Sequence, residues 1–233
     1  MAQNTSAAVM AQRAAPRDGL DDFPTHPWAL RAFIEYIFVK ALRHQPDEMT
    51  VWEPAANRRF MSRTLAEYFE HVWETDIHDY GVGVGFFDFL TLGDTLGLYD
   101  APPFANGGAQ WIISNPPFKD FEKWVELALE CATDGIALFG RLQMLETIAR
   151  YINIWKRWQD HTLCAAYIER VSLVEGGLDP SANLPQAYAW LVIDKTQILP
   201  NPYPGLVTVP TVLIPPCRDQ FVRPGDYEVR AAQ

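Results

Sequence analysis

Residues 111–118 read Trp111-Ile112-Ile113-Ser114-Asn115-Pro116-Pro117-Phe118. A short, mostly apolar run of strand-favouring residues meets an Asn-Pro-Pro turn. Two successive prolines remove two backbone donors and fix φ, so neither a central strand nor a helix continues through them. The stretch is a buried strand with an abrupt stop at its carboxyl end. The same unit recurs on either side. Met49-Thr50-Val51-Trp52 stops at Glu53-Pro54, Val72-Trp73-Glu74-Thr75 stops at Asp76, Phe86 to Leu90 is a short third strand, and Gly135 to Gly140 a fifth. Between them, apolar residues fall at helical spacing from Trp28 to about His44 (Leu30, Phe33, Ile34, Ile37, Phe38, Leu42), from Phe60 to Glu70, from Phe121 to Ala132 and from Met144 to Trp158.

After Trp158 the rhythm changes. Leu163 to Val174 and Ala187 to Asp194 read as two strands joined by the loop Glu175 to Gln186, with no helix between them. Seven of the chain's 18 prolines fall between Pro200 and Pro224, which excludes a helix or a central strand there. The pattern predicts an α/β fold: a Rossmann-like, seven-stranded, mostly parallel sheet with an antiparallel edge hairpin and helices on both faces. Residues 1–22 show no periodicity and read as a mobile leader. Residues 23–198 read as one folded domain, and 199–233 as a proline-rich tail packed on it.

The 233 residues, 48% hydrophobic and 21% charged, suit one packed domain. No apolar run approaches the roughly 20 residues that span a bilayer, and Met1 to Ala15 lacks the layout of a secretory signal. Cys131, Cys164 and Cys217 include no CxxC pair, and the five histidines show no metal spacing, so neither a disulfide framework nor a metal site is expected. A reduced, cytoplasmic compartment follows as the default. The net charge of −10 weighs against a partner gripped through phosphates. Two segments run the other way: Pro54 to Ala66 holds Arg58, Arg59 and Arg63 without an acid, and Arg141 to Arg157 holds four cations against Glu146 alone.

In open α/β sheets, ligands gather at the carboxyl ends of the strands. The ends to inspect are Glu53-Pro54, Asp76, Asp88 and Asn115 to Phe118. An exocyclic amine on a nucleobase is a poor nucleophile because its lone pair is delocalised into the ring. The Asn115 side-chain oxygen and the Pro116 carbonyl can accept both amine hydrogens, drawing nitrogen toward a tetrahedral arrangement. Pro116 and Pro117 hold that carbonyl rigid, and Phe118 can stack on an extruded base. The turn Glu53-Pro54-Ala55-Ala56-Asn57 offers backbone N–H groups to a cofactor, with Asn57 suited to positive φ. Asp76, about 20 residues on, can receive ribose hydroxyls, and Asp88 an adenine amine. Gly81-Val82-Gly83-Val84-Gly85 precedes no clear helix and is not a dinucleotide fingerprint.

Taken in order, these segments resemble the class I S-adenosylmethionine-dependent methyltransferases, specifically the adenine-N6 DNA methyltransferases of phage and prophage type. Leu20 to Ala29 resembles that group's amino-terminal cofactor motif, with His26 where proline is usual. Glu53 to Leu65 resembles its first motif, Thr75 to Gly81 its ribose-binding strand end, Asn115 to Phe118 its NPPF, and Tyr188 to Lys195 its late aromatic strand. The resemblance covers roughly residues 20–195. It implies S-adenosylmethionine as cofactor, framed by Thr25, Glu53, Pro54, Ala55, Asn57, Asp76, Ile77, Asp88 and Phe89. It also implies Asn115, Pro116, Pro117 and Phe118 as the catalytic set, Trp190 and Arg141 beside the substrate, and no metal. DNA is the implied partner, through a local and weak contact, with a second copy or a recognition partner able to complete it.

Two departures from the group stand out. Arg59 occupies a position where glycine is usual; it either pairs with the cofactor's carboxylate or crowds it. No segment is long enough for a separate recognition domain, which leaves the loops Gly93–Gly108 and Glu175–Gln186 to discriminate sequence. Rival readings are methylation of another amine (RNA guanine N2 or protein glutamine) and a binding module that keeps the fold without turnover.

Overall fold

In a computed structural model, residues 21–92, 103–104 and 108–230 are described. The decisive strand of the sequence, β4 (Trp111–Ser114), lies mid-sheet and is buried throughout. On one side it pairs parallel with β1 (Thr50–Glu53), which pairs parallel with β2 (His71–Asp76) and then β3 (Gly85–Phe86). On the other it pairs parallel with β5 (Gly135–Arg141). Next come β7 (Tyr188–Asp194), antiparallel to both its neighbours, then β6 (Thr162–Tyr167), and at the edge β8 (Thr211–Ile214), parallel to β6. The order is β3-β2-β1-β4-β5-β7-β6-β8. Strand order reverses between β1 and β4, and the crevice outside their carboxyl ends is where such sheets bind ligands.

Alternation along each strand divides the core. Val51, Trp111, Ile113, Phe139, Trp190 and Val192 face α1 (Pro27–Phe33), α2 (Phe60–Leu65) and α6 (Arg218–Phe221). Trp52, Ile112, Ile136, Leu138, Leu191 and Ile193 face α3 (Phe121–Cys131) and the broken helical stretch after β5. Gly135 is required where β5 begins: a Cβ there would sit 2.6 Å from both the Trp111 ring and the Ile193 carbonyl.

The architecture is the expected one, with several revisions of detail. The sheet has eight strands rather than seven, because the tail supplies β8, an edge strand flanked by Pro210 and Pro215 where a missing donor costs nothing to the ladder. The strand expected over Leu163–Val174 leaves the sheet after Tyr167, whose partner Ile214 ends β8; Glu169 turns aside to accept the Cys217 and Arg218 backbone N–H groups. The third strand is only Gly85–Phe86, and Phe89–Thr91 is a 3₁₀ turn capped by Asp88. The first helix widens into a π-helix over Ile34–Ala41, and α2 stops at Leu65. The helix expected over Met144–Trp158 is broken at Thr147, whose φ of 97° no helix tolerates; α4 (Ile148–Arg150) and α5 (Lys156–Trp158) flank a π-helical turn.

The leader expected over 1–22 lies outside the described residues as far as residue 20. Its last two residues, Asp21 and Asp22, are tied into the domain: Asp21 accepts the Phe118 N–H, and Asp22 pairs with Arg58. Most of the loop 93–108 also lies outside the described residues. No helix is long and apolar enough to cross a membrane among them, and all three cysteines are buried and unpaired.

Candidate active site

The strand ends frame a cleft that opens to solvent. Each of Thr25, Glu53, Pro54, Ala55, Asn57, Asp76, Ile77, Asp88 and Phe89 lines it, and so do Asn115 and Pro117. The turn after β1 is shaped by two residues at positive φ, Asn57 (52°) and Arg59 (65°). The Asn57 N–H donates to Asp76 Oδ2 (2.8 Å) and the His78 N–H to Asp76 Oδ1 (2.8 Å), so one carboxylate joins the ends of β1 and β2. Each oxygen keeps a second lone pair for a ligand hydroxyl.

A strap of residues 21–25 crosses the mouth. Asp22 takes a two-pronged contact from Arg58 (2.8 and 2.9 Å) and another from Asn57 Nδ2 (2.8 Å). Burial opposes ionisation of Asp22, but these hydrogen bonds hold its carboxyl below the usual range. Arg58 also lies over the Tyr80 ring, 4.6 Å from its centroid. At its other end the strap meets the Asn-Pro-Pro-Phe turn. Asn115 Nδ2 donates to the Phe23 carbonyl (2.7 Å), and Asp21 accepts the Phe118 N–H (2.8 Å). Because a carbonyl can only accept, the Asn115 amide orientation is fixed. Its Oδ1 is left buried and without a partner. A buried acceptor left empty costs about 1–3 kcal/mol unless a donor arrives.

Two more side-chain oxygens are orphaned on the same cleft: Thr25 Oγ1 and Glu53 Oε2. Glu53 is fully enclosed; burial, then the carboxyls of Glu74 and Asp76, push its pKa well above the ordinary range. A raised folded-state value means that the folded protein holds the proton more tightly than the unfolded chain, so stability falls as pH climbs through and above the normal carboxylate range. We expect the ligand-free wild type to lose melting temperature between pH 5 and 8 relative to Glu53→Gln. Parallel pH profiles in thermal scans would contradict this.

The cleft is acidic, with Asp21, Glu53, Asp76 and Asp88 in its wall and no Lys, Arg or His among the described residues that line it. Phe60, Met61, Phe89 and Trp124 supply apolar faces, Phe89 and Trp124 stacked at 4.3 Å between centroids. Such a lining takes a cationic ligand with an aromatic portion and hydroxyls, and repels one rich in phosphate.

Arg59 follows neither expectation. Its guanidinium turns away from the cleft to Glu74 (2.7 Å), leaving the wall uncrowded. The pair is two-pronged and mostly shielded, with 17% and 20% of the two side chains exposed, so its loss would offset what glycine gains by fitting the left-handed backbone. Arg59→Gly should alter stability by no more than about 1 kcal/mol in urea unfolding.

Trp190 must be corrected. It is 0% exposed, stacks on Phe33 at 4.3 Å and donates to the Tyr167 hydroxyl, on the face of β7 turned to α1. It cannot border a base pocket. Tyr188, two residues earlier and at the cleft end of the same face, is 6.2 Å from the Phe118 ring and stacks on Phe139. Burial raises its pKa, partly offset by the guanidinium of Arg141. Arg141, the other residue expected beside the substrate, lies over the Phe118 ring at 4.8 Å. Asp21, Phe23 and Tyr80 also line the cleft, inside the motif stretches Leu20–Ala29 and Thr75–Gly81 but not singled out there, and so does Trp124, which no motif covered.

No protein-family model matches the chain, and no curated protein matches its sequence. Solved structures resemble it in shape. A type I restriction-modification methyltransferase subunit from Streptococcus thermophilus superposes with a TM-score of 0.53 at 8% identity, over 90% of this chain and 50% of that one. The M protein of the type I restriction enzyme EcoKI gives 0.49 at 12% identity, over 76% and 45%. A Listeria monocytogenes protein assigned to the class I S-adenosylmethionine-dependent methyltransferases gives 0.48 at 8% identity, over 80% and 64%. The chain thus spans less than two thirds of each. The likeness to the Streptococcus subunit shows the fold: an α/β methyltransferase-type sheet. Among the described residues no group of His, Cys, Asp or Glu is arranged to hold a metal ion.

Proposed function

We propose that the acidic cleft binds S-adenosylmethionine and that the protein transfers a methyl group to the N6 amine of adenine in DNA. The observation that carries this reading is Asn115 Oδ1, a buried, unpartnered acceptor held in one orientation by the Phe23 carbonyl at the wall of the cleft.

The residues present suit the donor. Glu53 and its empty Oε2 face a ligand ammonium or sulfonium, which would favour the ionised carboxylate that burial opposes. Asp76 can take ribose hydroxyls, Asp88 an adenine amine, and the apolar faces an adenine ring. When bound, S-adenosylmethionine supplies a methyl group already activated on sulfur. The chain's own part is then positional. Asn115 Oδ1 and the Pro116 carbonyl accept the two hydrogens of the target amine and turn its lone pair inward. Phe118, on the other side of the turn, offers its ring to the base. The resemblance of the ordered motifs to adenine-N6 methyltransferases supports adenine in DNA over other amines.

Tritiated methyl transfer to DNA, RNA and protein, with Asn115→Ala as control, tests the proposal. Label on DNA adenine alone supports it. Label on RNA or protein, or none on DNA, overturns the DNA assignment, and absence of S-adenosylmethionine binding in calorimetry overturns the cofactor.

A further inference from the structure

The Asn115–Phe118 turn divides two spaces. Asn115 and Pro117 face the acidic cleft, whereas Phe118 lines a second, more open cleft. That second space is its electrostatic opposite: among the described residues Arg141 and Arg150 line it and no acid does, in a chain of net charge −10. Arg141 makes no ion pair among the described residues. Its close contacts are the Phe118 ring and the Tyr188 hydroxyl, neither of them an anion, and its buried Nε has no hydrogen-bond partner among the described residues. A guanidinium stays ionised at any working pH, so an unpaired one at a partly enclosed site is a strong attractor for an anion. Arg150 has a partner, Glu122 at 3.1 Å, and also donates to the Gln143 carbonyl. Glu122 is 38% exposed, and water weakens that pair. Across the mouth, the Gln186 and Gln143 amides hydrogen-bond each other at 2.9 Å.

We propose that this cleft seats a phosphodiester next to the target nucleotide, with Arg141 gripping it through its planar donor fork and Arg150 as a second cation. The proposal rests on the methyl-transfer reading of the neighbouring cleft and deepens it, since it makes the substrate a polyanion that approaches from the Phe118 side. The donor, a cation, and the substrate, an anion, are then sorted to opposite sides of one four-residue turn. Arg141 covers the Phe118 ring in the free protein, so engaging a phosphate also uncovers the ring for the base.

Fluorescence anisotropy of a labelled adenine-containing DNA duplex across a salt series reads the clamp without requiring turnover. Arg141→Gln should weaken binding about tenfold and reduce the slope of log affinity against log salt by about one. Arg141→Lys should recover part of the affinity, and Arg150→Gln should show a smaller loss of the same kind. Arg157→Gln removes the same charge from the exposed end of the helical stretch, outside the cleft, and should stay within twofold of wild type. S-adenosylmethionine binding in calorimetry should be unaltered by Arg141→Gln, which also checks that the variant is folded. Wild-type affinity and slope for Arg141→Gln overturn the clamp, as does an equal loss for Arg157→Gln. Methyl transfer by Arg141→Gln at unchanged KM overturns the clamp and leaves the transfer reading standing. DNA binding that depends on Arg141, in a protein that methylates nothing, supports the clamp and removes the transfer reading.

Discussion

Under the proposed transfer reaction, Asn115→Ala should lower kcat by about 10²–10³-fold, the usual cost of deleting one preorganised group at a reacting centre. KM for S-adenosylmethionine changes far less, because Asp76, Glu53 and the turn after β1 remain. Asn115→Asp gives the more telling result. The side chain keeps an oxygen toward the substrate, but its second oxygen now faces the Phe23 carbonyl, where the amide had donated at 2.7 Å. Two acceptors repel there unless the carboxyl carries a proton. The Asp variant should therefore regain activity as pH falls, while the Ala variant should not. Stopped transfer assays from pH 5.5 to 8.5 decide the matter; a flat Asp profile would show that Asn115 does not act through that carbonyl.

The largest stability effect is expected far from the cleft. Arg31, 2% exposed, donates to Asp226 through both terminal nitrogens' positions (2.8 and 2.8 Å), to Glu67 (2.6 and 2.8 Å) and to the Phe221 carbonyl (2.7 Å). Burial alone would lower its affinity for a proton, but the two carboxylates raise it. Arg31→Met strands Asp226, whose side chain is 5% exposed, without its counter-ion. Removing one partner of such a network costs about 3–5 kcal/mol, which for a chain of this size lowers the melting temperature by about 6–20 °C. The double variant Arg31→Met with Asp226→Met should be less destabilised than the sum of the two singles, because no charge is left orphaned. Additive losses in calorimetric scans would rule out the network account.

Much of the cleft could be read in the chain because its chemistry is local. Glu53, Asp76 and Asn115 each stand at the carboxyl end of a strand, and a parallel sheet brings such ends together without further information. The acidic lining follows from the same residues. What could not be read depends on partners distant in sequence. Trp190 and Tyr188 share one face of β7, and only the position of α1 determines which of them is sealed under Phe33 and which reaches Phe118. Asp21 and Asp22 carry no periodicity; their roles come from partners distant in sequence, among them Phe118, Arg58 and Asn57. The tail strand β8 hid among prolines because an edge strand needs only one ladder of hydrogen bonds. Arg59 was ambiguous for another reason: its conformation was legible from the glycine it replaces, but its direction was set by Glu74, fifteen residues on. The net charge of −10 is an average that hides local contrast: Asp21, Glu53, Asp76 and Asp88 line the cleft on one side of the Asn115–Phe118 turn, and Arg141 and Arg150 the cleft on the other.

The placement of β7 between β5 and β6 imposes an order of assembly on the growing chain. Strands β1, β2, β4 and β5 find neighbours as soon as they are synthesised, but β6 is made before β7, the strand that joins it to β5, and before β8. Translation must pass residue 194 before Thr162–Tyr167 can enter the sheet. Until then Leu138 and Phe139 lie on an unpaired edge, the kind of edge that recruits other chains. The half that holds the acidic cleft can therefore form on the ribosome, whereas Tyr188 and the wall beside Phe118 are added late. A nascent chain halted before residue 188 should be captured by chaperones through β5.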